Sequence, residues 1–227
     1  MRAVLTLWLW AAPLAAEEIA TADYADLRDR AIGLVRFDAL PPRAEPGHAL
    51  DHGLAFPGGR IGTGFLGQIQ TAEGPFDRLA GQPLAPLSLT TGPAGDGLSL
   101  AFHRGFGFMA LFPLGPAGFP ALEARGEGSI AVLFAEETCA VGLLVHTDYV
   151  SALGPAPATG TITLTAYARD GALLGRITAH PGPGVSGHAV EVTGGVARIA
   201  GLTLENDDPG GIAVDDLAFG PCAQILG

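Results

Sequence analysis

The 227-residue chain contains no lysine and a single asparagine, Asn206, and its two tryptophans, Trp8 and Trp10, lie at its very start. Asn206 is followed by Asp207-Asp208, which excludes an N-glycosylation sequon. Every basic residue is arginine, the tightest cluster in sequence is Arg28/Arg30, and the net charge is −11. A chain with no basic run attracts neither nucleic acid nor an anionic membrane surface, so cations, glycans and proteins remain as partners. Charged residues make up only 15% of the chain, and after the first residues no apolar run approaches the ~18 positions needed to span a bilayer.

Signatures of catalysis are equally sparse. No Gly-x-Ser-x-Gly occurs: Ser186 lies in Gly184-Val185-Ser186-Gly187-His188, which lacks the second glycine where a nucleophile elbow needs it. Neither a phosphate loop nor a dinucleotide fingerprint is present. His48 and His52 have the spacing of a helical zinc pair, but Pro46, Gly47 and Gly53 break any helix there. Glu123 and Glu127 would act as a glycosidase pair only if the fold aimed both into one cleft; beside Gly126 and Gly128 they read more simply as solvated turn residues.

What the chain has in quantity is glycine (34), proline (18) and apolar residues (48%), a combination that points to a folded, turn-rich protein. Residues 1–16 read as a secretion signal: Arg2, the apolar run Ala3 to Ala12, then Ala15-Ala16 as a small-residue cleavage region. A signal anchor is the alternative. Export places Cys139 and Cys222 in an oxidising compartment, where a single disulfide is the default and two buried free thiols the alternative. Residues 17–33 form the one helical segment, Ala-rich with acids early and Arg28 and Arg30 late, and Gly33 serves as its stop.

Residues 34–222 read as one domain of short strands and turns, with 223–227 a short tail. Thr161 to Ala168 alternates cleanly, and Asp170-Gly171 is a hairpin signal into Leu173 to Thr178. Phe106, Phe108, Ala110 and Phe112 interleave with Met109 and Leu111, so that segment is apolar on both faces. Many short strands, no fixed repeat and almost no helix predict an all-β, antiparallel two-sheet sandwich of jelly-roll type. Near the end, Ile212 and Val214 fall on one face of a strand but Leu217 and Phe219 on the other, and this phase flip predicts a β-bulge at Asp215-Asp216.

Val35-Arg36-Phe37-Asp38-Ala39-Leu40-Pro41 with Gly53-Leu54-Ala55-Phe56, the hairpin Thr163 to Gly175 and the closing strand Gly211 to Phe219 resemble the β-sandwich of secreted bacterial PEP-CTERM exoproteins. The closing strand is also similar to that of MAM and related galactose-binding-like jelly rolls. The end of the sequence, Gly220 to Gly227, carries no PEP or VPLPA sorting motif, so the resemblance extends to the sandwich and not to anchoring. It implies first and last strands side by side, with structural Ca²⁺ between Asp38 and Asp215 or Asp216. Ca²⁺ takes six to eight oxygens, so backbone carbonyls and water would complete the set. The competing reading has Asp38 capping a turn and the Asp pair bonding backbone amides. Asn206, Asp207 and Asp208 are additional candidate ligands, or else plain turn residues.

Without a mature tryptophan, Tyr149 and Tyr167 are the best candidates for an exposed sugar platform. The expectation is an exported, non-catalytic sandwich, structural or ligand-binding, a glycan being the foremost ligand, at the cell exterior or in the periplasm. A carbohydrate-active hydrolase or lyase and an adhesive or matrix protein working through protein contacts are the alternatives.

Overall fold

The computed structural model describes residues 18–147 and 160–223. The proposed signal at 1–16 and most of the tail lie outside the described residues. In chain order the elements are β1 (Ile19–Ala22), α1 (Tyr24–Arg30), β2 (Gly33–Val35), β3 (His48–Ala49), β4 (Leu54–Phe56), β5 (Gly59–Gly62) and β6 (Gly64–Phe65). They continue with β7 (Ile69–Glu73), β8 (Phe76–Ala80), β9 (Leu89–Thr90), β10 (Leu98–His103), β11 (Phe108–Pro113) and a 3-10 turn at Leu122–Ala124. The last strands are β12 (Ile130–Thr138), β13 (Ala140–His146), β14 (Ile162–Tyr167), β15 (Leu173–Ala179), β16 (Val185–Val192), β17 (Ile199–Asn206) and β18 (Ala213–Gly220).

Two antiparallel sheets make the sandwich. One runs β1-β16-β13-β18-β11-β10-β3, with β2 also on β18, and the other β15-β14-β17-β12-β5-β4. Alternate residues of both, among them Leu111, Val141, Leu143, Val214, Leu164, Leu202 and Phe134, fill one core between the sheets. The small sheets β6-β9 and β7-β8 stand outside it. The expected all-β antiparallel sandwich is what the chain forms, and the Asp170-Gly171 hairpin joins β14 to β15 as expected.

The helical expectation for 17–33 needs correction. Ile19–Ala22 is a strand, paired antiparallel with β16 from Ile19↔Val192 to Ala22↔Ala189, and only Tyr24–Arg30 is helical. Asp23 caps that helix by accepting from the Asp26 amide, and the helix ends at Ala31, before Gly33. Gly33 serves a different purpose: a Cβ there would stand 2.1 Å from the Phe219 ring, so its lack of a side chain lets β2 lie against β18. The helix covers the outer face of the first sheet, where Tyr24 and Leu27 pack on Ala140, Ala189 and Ala218. Gly187 and Gly142 complete that floor, because a Cβ on either would meet Tyr24 within 3.0 Å.

Candidate functional site

At the closing edge, β18 changes partner on one side. Val214 pairs with Leu111 of β11, whereas Leu217 pairs with Val35 of β2. On its other side the register with β13 slips between Asp215↔Leu144 and Ala218↔Gly142, so β18 holds one extra residue there. Asp216 sits in that bulge at φ 45°, in the left-handed region that aspartate tolerates better than most side chains. The extra residue explains the phase flip: Val214 and Leu217 both face the core between the sheets.

The Asp216 carboxylate lies 3.1 Å from the Arg28 guanidinium and 3.5 Å from that of Arg36, and its carbonyl accepts from the Tyr24 hydroxyl at 2.7 Å. Asp38, Arg28, Arg36 and Phe108 surround it in a small pocket. Arginine therefore supplies positive charge beside Asp216. Among the described residues, no three of His, Cys, Asp and Glu stand together as a metal cluster. Asp215 is 0% exposed, and neither carboxylate oxygen has a partner at hydrogen-bond geometry. Burial pushes its carboxyl up to about 7; the Asp216 and Asp38 charges add to the rise, while the Asp216 and Phe37 amides pull it back.

The Asx turn does structural work. Asn206 is buried and donates to the carbonyls of Gly126 (2.9 Å) and Gly128 (3.4 Å), while its own oxygen accepts from the Asp208 amide. Asp208 accepts from Gly160 and Gly210, and Asp207 from the Thr161 amide and hydroxyl. These acceptors are engaged within the fold, as turn chemistry predicts. Tyr167 corrects the sugar-platform expectation: it is buried edge-on against Phe65, with its hydroxyl accepting from the Gln68 amide at 3.1 Å. Tyr149 lies outside the described residues. Cys139 and Cys222 are paired at disulfide distance, Cα–Cα 4.8 Å, and tie the end of β18 to the start of β13.

Glu127 is buried, and burial pushes it up to about 7, with Arg125 lowering and Glu123 raising it. Ser186 and His188 hydrogen-bond at 2.7 Å, two residues apart on β16. Phe106 to Phe112 is apolar on both faces as expected: Met109 and Leu111 enter the main core, Ala110 and Phe112 a second cluster with Phe106. No helix among the described residues is long and apolar enough to cross a membrane.

A concavity of about 680 Å³ was not legible in sequence. It lies between the segment Pro42–Glu45, the outer end of β10 and the 3-10 turn, and brings Arg43, Arg104 and Arg125 together with Phe102 and Leu122. The Phe102 amide donates to the Arg43 carbonyl at 2.7 Å, which lays the segment along β10. Arg125 forms the back wall, ion-paired to Glu45 and stacked 5.6 Å above the Phe112 ring. Arg43 and Arg104 are exposed, Phe102 is 38% exposed and Leu122 55%. Two exposed guanidiniums and an open aromatic face suit an anionic, partly apolar ligand. No family model, curated protein or solved structure matches the chain.

Proposed function

We propose that this protein is an exported, non-catalytic β-sandwich module that binds an acidic glycan in the arginine groove. The observation that carries the reading is the convergence of Arg43, Arg104 and Arg125 beside Phe102 in a chain whose net charge is −11. Surface arginines are ordinarily dispersed and solvated. Three in one groove, of which Arg125 alone is ion-paired among the described residues, concentrate positive potential in a molecule of net negative charge. A uronate matches both halves of the groove, because its carboxylate takes a bidentate guanidinium contact and its ring face stacks on an aromatic. Export is supported by the signal-like start of the sequence and the Cys139–Cys222 pairing.

A glycan array probed with and without Ca²⁺ tests the reading. Binding confined to carboxylated glycans, and weakened by salt, is expected. Exclusive binding to neutral glycans, or none at all, would overturn it, and the protein-contact alternative would then take its place.

A further inference from the structure

The hairpin β7–β8 stands off the sandwich as a two-stranded sheet, and every residue of β7 is exposed. It is held through β8: the Asp77 amide donates to the Glu127 carbonyl, the Leu79 amide to Glu205, and Arg78 to the Asn206 carbonyl. Between this hairpin and the turn at Pro93–Asp96 lies a pocket of about 330 Å³ whose polar lining is Gln70, Asp77, Asp96, Thr63 and Thr90.

Hairpin register pairs Ala72 with Asp77 and Gln70 with Leu79, so Gln70 and Asp77 are diagonal neighbours on one face. The Gln70 amide donates to Asp77 Oδ2 at 2.7 Å, which fixes the carboxylate and leaves Oδ1 to the pocket. Asp77 is only 4% exposed. Burial is the main force pushing its carboxyl up to about 6, and the Asp96 charge adds to it against Gln70 and Arg78. Arg78 is turned elsewhere, its Nε on Glu73 at 2.9 Å and its Nη1 on the Asn206 carbonyl at 2.6 Å.

An independent sign of a ligand comes from Thr63. It is 2% exposed, lines the same pocket, and its Oγ1 has no hydrogen-bond partner. That oxygen lies 3.6 Å from where a Cβ on Gly92, another residue lining the pocket, would stand. Two carboxylates and an orphaned buried hydroxyl thus share one cavity whose lining residues include no cationic side chain, unlike the closing edge, where two arginines balance Asp216.

We infer that Asp77 and Asp96 hold a calcium ion in this pocket, with the Thr63 hydroxyl as a further ligand and Gln70 positioning Asp77. The donors are all oxygen, with no imidazole or thiolate, which selects a hard cation. Their irregular disposition across a hairpin, a turn and a strand end suits Ca²⁺ better than Mg²⁺, which demands near-ideal octahedra. Two carboxylates with neutral oxygens place the dissociation constant at roughly 10⁻⁵ to 10⁻³ M, the range of weaker sensor and extracellular sites. The ion would clamp the hairpin to the body of the sandwich.

Calcium titration of the chelator-treated protein by calorimetry, with melting in EDTA and in 10 mM Ca²⁺ alongside, tests the assignment. Ca²⁺ should bind and raise the melting midpoint, Mg²⁺ should do so far less, and Asp96→Asn should weaken binding at least tenfold. Asp77→Asn should abolish binding; should it fail to fold, the exposed Asp96 decides alone. Asp38→Asn should leave calcium affinity unchanged. Absence of any calcium response, or affinity retained in Asp96→Asn, would overturn the assignment, and loss in Asp38→Asn alone would move the ion to the closing edge.

Discussion

Replacing Asp215 with asparagine should make the protein more stable at neutral pH and change little in acid. Asp215 is wholly buried in the bulge, and its carboxyl is raised from 3.8 to about 7. A carboxylic acid with a raised folded-state pKa contributes most below its unfolded pKa, near 4, and that contribution is lost as pH rises through 7. The shift of about 3 pKa units corresponds to about 4 kcal/mol as an upper bound, at 1.36 kcal/mol per unit. Asparagine keeps the shape and one acceptor oxygen but never ionises. Urea denaturation of parent and variant from pH 4 to pH 8 should show a stability difference near zero at pH 4. It should grow to as much as about 4 kcal/mol in favour of Asp215→Asn at pH 8, or on the order of 10 °C in melting midpoint for a domain this size. The raised Asp77 and Glu127 and the lowered His103 and His188 titrate in both proteins, so the comparison isolates Asp215. A difference that is flat with pH, or a parent more stable than the variant at pH 8, would refute the burial argument.

Two further predictions concern the frame. Asn206→Ala removes the donor to the Gly126 and Gly128 carbonyls and the acceptor for the Asp208 amide, and should cost about 1–3 kcal/mol in urea midpoint measurements. Reducing the Cys139–Cys222 pair frees a loop of 83 positions and should cost about 4 kcal/mol by the chain-entropy account, while non-reduced peptide mapping should recover the two cysteines in one linked fragment.

How far the sequence spoke depended on whether the signal was local. The bulge at Asp215-Asp216 was legible because strand alternation has a strict period of two, and one extra residue must invert it. The Thr161 to Thr178 hairpin was legible because Asp-Gly favours its turn. Ile19–Ala22 misled because its alanines and flanking charges look helical; pairing with β16, a partner some 170 residues away, overrode propensity. Tyr167 misled because Thr161, Thr163 and Thr165 suggested an open face, whereas Phe65 and the loop before β9 cover its end of the strand. The hairpin β7–β8 and β5 were not anticipated, since their alternation is broken by glycine and charge. The arginine groove and the Asp77/Asp96 pocket are each assembled from separate stretches of the chain. Arg43, Arg104 and Arg125 form no run in the chain; packing of β10 against the segment before β3 and the bridge between Leu114 and Arg125 bring them together.

Recognition of an acidic glycan by the groove is to be measured by calorimetric titration of a uronate oligosaccharide into the parent and into Arg43→Ala/Arg104→Ala. Both arginines are exposed, and the Phe102 amide bond to Arg43 is made by its backbone carbonyl, which alanine keeps, so the variant should fold with an unchanged melting midpoint. Binding by the parent should weaken as salt is raised, and the variant should lose at least tenfold in affinity. Equal affinity in the two proteins, or no binding by the parent at low salt, would contradict this recognition.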